Sequence, residues 1–171
     1  MPGPTFVAID FETADAGADS ACAVALVRVE NWQVVAKESK LIRPPRRYVR
    51  FAYIHGITWR HVADQPPFAE VWPELAPLLA GAQHLVAHNA PFDRGVLRAC
   101  CEAAKLEMPP LPFVCTVQVA RRTWGLRPAN LPAVCRHLNI PLTHHDPLSD
   151  AEAAARILIA ARGHFAGLAR P

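Results

Sequence analysis

Two carboxylates near the start of the chain are spaced so that they could share a ligand. Asp10 and Glu12 end an apolar run that begins at Thr5 and is too short for a helix, a pattern typical of a buried strand. Residues two apart on a strand point to the same face, and two buried like charges are costly unless they are compensated. A divalent cation bound through oxygen would compensate them. The alternative is an exposed strand end with solvated acids.

Two further acids stand at predicted helix starts. Asp93 follows a predicted strand, His84–His88, and lies in the first turn of the next helix. Asp150 follows Ser149, which forms with Glu152 an S-x-x-E capping box. Helix N-termini favour anions, so each acid alone could simply complement a helix dipole. Together the four carboxylates carry −4, which two divalent ions would balance, so the set predicts a two-metal site for displacement at phosphorus.

A proton acceptor near the attacking water would complete such a site. His144 and His145 precede Asp150 on the loop that enters the last predicted helix. Histidine titrates near neutral pH and is the commonest general base. Spacing alone does not choose between the two, and a loop histidine can also be an ordinary surface residue.

Two stretches of the chain carry cations but no acids. Neither Asp nor Glu occurs between Glu38 and Asp64 or between Glu107 and Asp146, although the net charge is only +3. The stretches contain Lys40, Arg43, Arg46, Arg47, Arg50 and Arg60, and Arg121, Arg122, Arg127 and Arg136. Aromatic residues are interleaved in the first stretch, so both stretches suit a nucleic-acid groove with phosphates and exposed bases. Two solvated basic loops are the alternative.

The elements that must position these residues change in type along the chain. Three strands come first, Thr5–Glu12, Cys22–Glu30 and Gln33–Ile42, with a hairpin turn at Asn31-Trp32. We then expect a short helix at Thr58–Val62, a proline-broken helix at Phe68–Leu79, a strand at His84–His88, a helix at Pro91–Ala104, a strand at Phe113–Thr116, and helices at Val117–Trp124, Asn130–Leu138 and Ala151–Phe165. This order predicts one α/β domain with a mixed sheet over residues 1–171.

Composition narrows the class of protein. With 171 residues, 51% of them hydrophobic, the chain can bury a core, and no apolar run approaches the ~20 residues of a membrane span. The first residues lack the basic and apolar regions of a signal peptide. Five cysteines without a C-x-x-C pair indicate neither a zinc ribbon nor a disulfide frame. We therefore expect a cytoplasmic protein that contacts no membrane.

Three segments resemble known motifs. Phe6–Thr13, His88–Asp93 and His145–Ala151 are similar, in order and internal spacing, to the three exonuclease motifs of the DEDDh (DnaQ-like) family. That family includes the proofreading subunit of bacterial DNA polymerase III and its stand-alone relatives. The resemblance covers nearly the whole chain. It implies a ribonuclease H-like fold, with a mixed five-stranded sheet flanked by helices.

The resemblance also assigns roles to the four acids and one histidine. It implies that Asp10, Glu12, Asp93 and Asp150 hold two Mg²⁺ or Mn²⁺ ions. The family's H-x4-D spacing selects His145 as the general base. If its loop is extended, the side chain of His144 should point elsewhere. Pro147 stands where the family usually has Ala, which predicts a stiffer histidine loop.

Three further residues are candidates for substrate contact. The segment Ile54–Ile57 is similar to a family segment that borders the terminal nucleotide, which makes His55 a candidate. Thr13 in the first motif and Asn89 in the second are the others. Asn89 should also orient the strand-to-helix turn, and Asn is a good helix cap.

The expected reaction follows from the resemblance. It is metal-dependent hydrolysis at the 3′ end of single-stranded DNA, with release of nucleoside 5′-monophosphates. A 3′→5′ exoribonuclease that trims RNA ends is an alternative, because 2′-OH discrimination depends on a few pocket contacts. A non-catalytic nucleic-acid-binding or polymerase-associated module is the alternative from another class, and the intact acid and histidine set argues against it. The chain ends soon after the last predicted helix, so we expect a stand-alone enzyme, although a polymerase or repair partner could bind its folded surface.

Overall fold

A computed structural model describes residues 3–164, and its strands form a single sheet. The strands are β1 (Thr5–Thr13), β2 (Ala21–Glu30), β3 (Gln33–Leu41), β4 (His84–Ala87) and β5 (Phe113–Cys115). Their order in the sheet is β3-β2-β1-β4-β5. The first three strands pair antiparallel, whereas β4 and β5 run parallel to β1. The predicted mixed five-stranded sheet is confirmed.

Helices flank this sheet. Within residues 3–164 they are α1 (Ala52–His55), α2 (Trp59–Val62), α3 (Phe68–Leu75), α4 (Ala90–Ala104), α5 (Thr116–Trp124), α6 (Leu131–Leu138) and α7 (Pro147–Ala160). A 3₁₀ turn, Ala76–Leu79, continues α3, so the helix predicted at Phe68–Leu79 is broken as its prolines indicated. Helix α1 was not predicted. Helix α7 ends at Ala160 and is followed by a 3₁₀ turn, Arg162–His164, so the last helix ends earlier than predicted. The predicted terminal residue, Phe165, lies outside the described residues.

Strand β1 is enclosed on both faces and along both edges. Phe6 and Ala8 pack into a core that includes Ile157 of α7, whereas Val7 and Ile9 pack into a second core with residues of α3 and α4. All four β1 side chains are at most 1% exposed. Burial on both faces explains why the sequence of β1 is a continuous apolar run rather than an alternating one. The carboxyl end of β1 is therefore held in place by the whole fold.

The hairpin between β2 and β3 turns at the predicted dipeptide. Asn31 and Trp32 have φ angles of 50° and 65°. Two successive left-handed residues match the right-handed twist of the flanking strands. The turn sets the register in which β2 and β3 extend the sheet beyond β1.

Helix α7 begins earlier than the capping-box pattern indicated. Its N-cap is Asp146, whose Oδ2 accepts a hydrogen bond from Ser149 N at 2.9 Å. Pro147 takes the first helical position, where the missing N–H of proline costs nothing. The capping box predicted at Ser149 is therefore wrong, and Glu152 instead forms ion pairs with Lys37 and Arg156.

The remaining composition-based expectations concern membranes and cysteines. None of the helices in residues 3–164 combines the length and apolar character needed to cross a bilayer. All five cysteines are free thiols, and four of them are buried. They serve the core as small apolar residues.

Candidate active site

Three of the four predicted acids meet at the carboxyl end of β1. Asp10 and Glu12 lie on β1, Asp150 lies in the first turn of α7, and one carboxylate oxygen from each falls within 4.8 Å of the others. Glu12 is 9% exposed and Asp150 is 5% exposed. We call these three residues the carboxylate cluster. Their juxtaposition agrees with the shared strand face and helix start read from the sequence.

Asp93 lies next to the carboxylate cluster and is bonded to the sheet. It occupies the first turn of α4, is 2% exposed, and its Oδ1 accepts a hydrogen bond from Phe11 N at 2.9 Å. The pairing of β1 with β4 ends at Ala8 and Val86. The Asp93 carboxylate therefore supplies the acceptor that a longer β4 would have supplied to Phe11.

The acids have raised pKa values because they are buried together. Burial raises the pKa of Asp93 to about 8, although the bond from Phe11 N opposes the shift. Burial and the charges of Asp150 and Asp146 raise the pKa of Glu12 to about 7. The pKa of Asp10 lies well above its usual range, first through burial and then through the neighbouring carboxylates. The protein thus holds together charges that repel one another.

Two buried oxygens of the cluster have no hydrogen-bond partner among residues 3–164. They are Oδ2 of Asp10 and Oδ1 of Asp150. An unsatisfied buried oxygen is costly, and a cation would satisfy both while relieving the repulsion. Carboxylate oxygens are the ligands preferred by Mg²⁺ and Mn²⁺. The donor set therefore fits divalent metal ions of this kind.

Both histidines face the cluster. The loop Thr143–Asp146, here called the histidine loop, brings His144 Nδ1 to 3.0 Å from Asp150 Oδ2. His145 N donates to the same oxygen at 3.1 Å, and the two imidazole rings stack with their centroids 3.8 Å apart. His144 thus points at the cluster, and the condition under which it was expected to point elsewhere, an extended loop, is not met. The loop is not extended, because His145 has a left-handed φ of 67°.

The two imidazoles nevertheless differ in what they touch. A carboxylate oxygen only accepts, so His144 donates its Nδ1 proton to Asp150. The ring nitrogens of His145 have no hydrogen-bond partner among residues 3–164, and this residue meets Asp150 through its backbone. The ring of His145 is therefore free to accept a proton, whereas that of His144 is engaged at one nitrogen.

A cavity of about 720 Å³ opens above the cluster. Such a volume is typical of a small-molecule site. Beside the carboxylate cluster and the two histidines, its lining includes Phe51, Ile54 and His55 around α1, Asn89 and Phe92 at the start of α4, and Val117, Arg121, Pro128, Ala129, Asn130 and Leu131 from α5 to α6. The sequence analysis did not identify five members of the last group as cavity residues, namely Val117, Pro128, Ala129, Asn130 and Leu131. Its only signal was the acid-free stretch between Glu107 and Asp146 that contains it.

The three substrate-contact candidates all line this cavity, in different ways. Thr13 is 7% exposed, and its carbonyl oxygen lies 3.0 Å from His55 Nε2. His55 Nδ1 accepts a hydrogen bond from Ile57 N at 3.1 Å, so both ring nitrogens of His55 contact the backbone and its carbon surface faces the cavity. Asn89 is the N-cap residue of α4 with a φ of 66°, but its side chain makes no capping bond. The capping role expected of Asn89 is therefore wrong.

Both basic stretches reach the cavity, but among the described residues only the second brings an arginine or lysine to its lining. Arg121 lines the cavity. Arg46 instead donates to Asp15 at 2.7 and 3.0 Å and to Asp19 at 2.7 and 3.2 Å, and it does not line the cavity. Its charge is neutralised by these two aspartates, which lie in the loop that follows β1. We expected the basic residues of the first stretch to border a nucleic-acid groove. Arg46 does not do so, because it pairs with Asp15 and Asp19 away from the cavity lining.

A mixed sheet with acids at the end of its central strand and at two helix starts defines a ribonuclease H-like nuclease fold. The chain belongs to the RNase_T exonuclease family, which matches residues 7–158, and within it to the DEDDh (DnaQ-like) group.

Several curated proteins are similar in sequence to this chain. Exodeoxyribonuclease 10 of Escherichia coli is 37% identical over 143 residues, which cover 80% of this chain and 59% of that protein. DNA polymerase III PolC-type of Thermotoga maritima is 31% identical over 159 residues, covering 91% of this chain. The chain spans only 12% of that polymerase.

Several solved exonuclease structures are similar to this chain in fold. Exonuclease X in complex with 5′ overhanging duplex DNA has a TM-score of 0.75 and 30% identity, and the match covers 94% of this chain and 93% of that one. The nuclease domain of 3′hExo bound to rAMP has a TM-score of 0.78 at 18% identity, over 96% of this chain and 93% of that one. The second likeness bears on the fold alone. Together they confirm the ribonuclease H-like exonuclease architecture.

Proposed function

We propose that this protein is a metal-dependent 3′→5′ exonuclease that hydrolyses the terminal phosphodiester bond of single-stranded DNA and releases nucleoside 5′-monophosphates. The observation that carries the proposal is the carboxylate cluster, with two unsatisfied buried oxygens, beneath a cavity of about 720 Å³. Membership of an exonuclease family supplies the reaction class.

The four acids would hold the metal. Asp10, Glu12, Asp93 and Asp150 would bind two Mg²⁺ or Mn²⁺ ions, which stabilise developing charge at phosphorus when bound. Asp93 commits one oxygen to Phe11 N, so its second oxygen is the one available to a cation. Because the acids are buried and repel one another, metal binding should also stabilise the fold.

His145 would be the general base. Its imidazole is free of protein hydrogen bonds within the described residues, and its backbone N–H to Asp150 Oδ2 holds the loop against the site. A neutral imidazole there would take a proton from the attacking water. His144 would act as a positioning residue, since its Nδ1–H bond orients the Asp150 carboxylate.

Cavity contacts would seat the 3′-terminal nucleotide. Thr13, the carbon surface of His55, and Asn89 line the space above the carboxylate cluster, and the exposed side chains of Phe92 and Ile54 add apolar surface to it. Apolar and aromatic surfaces suit an unstacked base. An unpaired 3′ end fits such a cavity without the cost of separating a base pair.

Similarity favours DNA over RNA as the substrate. The relatives that reach 30% identity include an exodeoxyribonuclease and an exonuclease solved with DNA, whereas the neighbour bound to rAMP is 18% identical. The similarity to a polymerase of PolC type makes association with a polymerase a further outcome to test. We propose catalysis by the free chain, with any partner acting on its folded surface.

Digestion of end-labelled oligonucleotides tests the proposal. Single-stranded DNA and RNA of identical sequence are compared in Mg²⁺, Mn²⁺ and EDTA. We expect stepwise shortening of 5′-labelled DNA in either metal, slower shortening of RNA, and no reaction in EDTA. Early release of the 5′ label as a mononucleotide would refute the polarity, and faster digestion of RNA would favour the exoribonuclease alternative. Undiminished activity in excess EDTA would refute metal dependence.

A further inference from the structure

A second hollow adjoins the active-site cavity. It has a volume of about 430 Å³ and is lined by Pro128, Asn130, Ala133, Arg136 and His137. Pro128 and Asn130 also line the 720 Å³ cavity above the acids. The two hollows therefore share a wall. We call the second one the α6 groove, because three of its five residues belong to α6.

Each of the two cavities is lined by an arginine that has no ion-pair partner among the described residues. Arg121 lines the active-site cavity, Arg136 lines the α6 groove, and both are exposed. Neither forms an ion pair with any residue in 3–164. Several other cations do, namely Arg28, Lys37, Lys40, Arg46 and Arg156. The stretch between Glu107 and Asp146, which contains both arginines, has no acid of its own to neutralise them.

The groove also offers the other features that a nucleic-acid strand needs. His137 presents an exposed ring beside Arg136, and this ring packs near Trp124 with centroids 6.3 Å apart. The Asn130 side chain caps α6 by accepting from Ala133 N at 3.0 Å, which fixes the wall shared with the cavity. A cation beside a flat ring suits a phosphate followed by a base.

We propose that the α6 groove binds the sugar-phosphate backbone of the nucleotides 5′ to the scissile bond, with Arg136 contacting a phosphate. This inference rests on the proposed function, because it takes the 3′ end to lie over the carboxylate cluster. A strand leaving the cavity over Pro128 and Asn130 enters the groove directly. Arg136 would then distinguish an oligonucleotide from a substrate too short to leave the cavity.

Two substrates of different length test this role. One is a single-stranded DNA of about 12 nucleotides, long enough to fill a groove of this kind. The other is the p-nitrophenyl ester of thymidine 5′-monophosphate, which has no nucleotide 5′ to the bond that is cut. We expect Arg136→Ala to lower the ratio of kcat/KM for the oligonucleotide to that for the ester about 10-fold, the usual effect of losing a bond to a charged group. Arg136→Lys should restore most of the ratio, because it keeps the charge.

Salt dependence and a matched control separate this contact from general electrostatics. Losing one phosphate contact should reduce the slope of log affinity against log salt by about 0.7 for a single strand. Lys105→Ala removes the same charge at the C-cap of α4, about 18 Å along that helix from Asp93. It should leave the ratio unchanged. An unchanged ratio in Arg136→Ala, whether neither substrate or both substrates equally lose kcat/KM, would overturn the proposal.

Binding measurements keep this test independent of catalysis. Fluorescence anisotropy of the labelled oligonucleotide in EDTA measures affinity without turnover. We expect Arg136→Ala to bind about 10-fold more weakly than the wild type, with an unchanged thermal midpoint because Arg136 is exposed. If the wild type binds but hydrolyses neither substrate, the proposed function fails while the groove stands. Equal affinity of the variant and the wild type would refute the groove.

Discussion

The carboxylate cluster and the histidine loop meet at Asp150 but are held by different means. Asp10 and Glu12 stand on an interior strand enclosed by two cores. The histidine loop is mostly exposed and depends on local bonds, from Thr143 N to Ser149 Oγ at 2.8 Å and from His145 N to Asp150 at 3.1 Å. Core packing thus holds Asp10 and Glu12 in place, and the hydrogen bond to Asp150 holds His145. Changes in the cluster should therefore reach the loop, while changes in the loop should reach the cluster only at Asp150.

The largest effect should come from the cluster itself. Asp10→Ala and Asp150→Asn should abolish turnover, because each removes a carboxylate from the proposed metal site. Asp10→Ala should leave the metal-free fold at least as stable as the wild type, since it removes a buried charge that its neighbours repel. Nucleotide release and thermal unfolding in EDTA measure the two effects. Measurable turnover by Asp10→Ala would contradict the prediction.

The next effect separates the two histidines. His145→Ala should lower the single-turnover rate ~10²–10⁴-fold, the usual contribution of a positioned base. His144→Ala should lower it only about 10-fold, through a less well oriented Asp150. His144→Asn, which can still donate to Asp150, should recover part of that loss. A severe defect in His144→Ala beside a near-normal His145→Ala would reverse the assignment.

A smaller effect concerns stability and pH in the absence of metal. Asp93 and Glu12 have folded-state pKa values of about 8 and about 7, above their ordinary values, so their contribution to stability is lost as the pH rises through that range. Burial lowers the pKa of His88 to about 4, which acts in the opposite direction only below its usual value of 6.5. From about pH 6.5 to about pH 8.5 the two acids therefore determine how the free energy of unfolding changes with pH. We expect the unfolding midpoint in EDTA to fall over this range.

Added Mg²⁺ provides the matching control for the pH effect. Because the ion binds the ionised carboxylates of the folded state, it should raise the midpoint more at about pH 8.5 than at about pH 6.5. A midpoint in EDTA that climbs between these pH values would contradict the linkage. The double variant His144→Ala/His145→Ala should keep the wild-type trend, since the loop is not its source.

The smallest effect should come from Arg46. It clamps the loop after β1 through Asp15 and Asp19, and it is 47% exposed. Arg46→Ala should therefore lower the free energy of unfolding by less than about 1 kcal/mol, as exposed ion pairs do. Oligonucleotide affinity and its salt dependence should stay unchanged. A loss of affinity like that expected for Arg136→Ala would mean that Arg46 also contacts the substrate.

Periodicity and spacing predicted the strands, the hairpin and the acids at their element ends, because each of these depends on neighbours in the sequence. The start of α7 was misplaced, since two capping patterns overlap there and Pro147 favours the one centred on Asp146. The contact of Asp93 with Phe11 joins residues 82 apart, and no local pattern reports such a bond. The direction of His144 depended on one left-handed backbone angle at the next residue.

The hydrogen bond from Phe11 N to Asp93 Oδ1 has a consequence for mutational drift and for protein engineering. Replacing Asp93 with Ala would strand a buried amide, at a cost of about 1–3 kcal/mol, whereas Asn keeps the acceptor. The buried Oδ2 of Asp10 accepts no backbone hydrogen bond within the part of the chain that the structure describes. An inactive substrate trap is therefore best built at Asp10. For the same reason, a lineage that abandons catalysis should lose the acid at position 10 freely while retaining Asp or Asn at position 93.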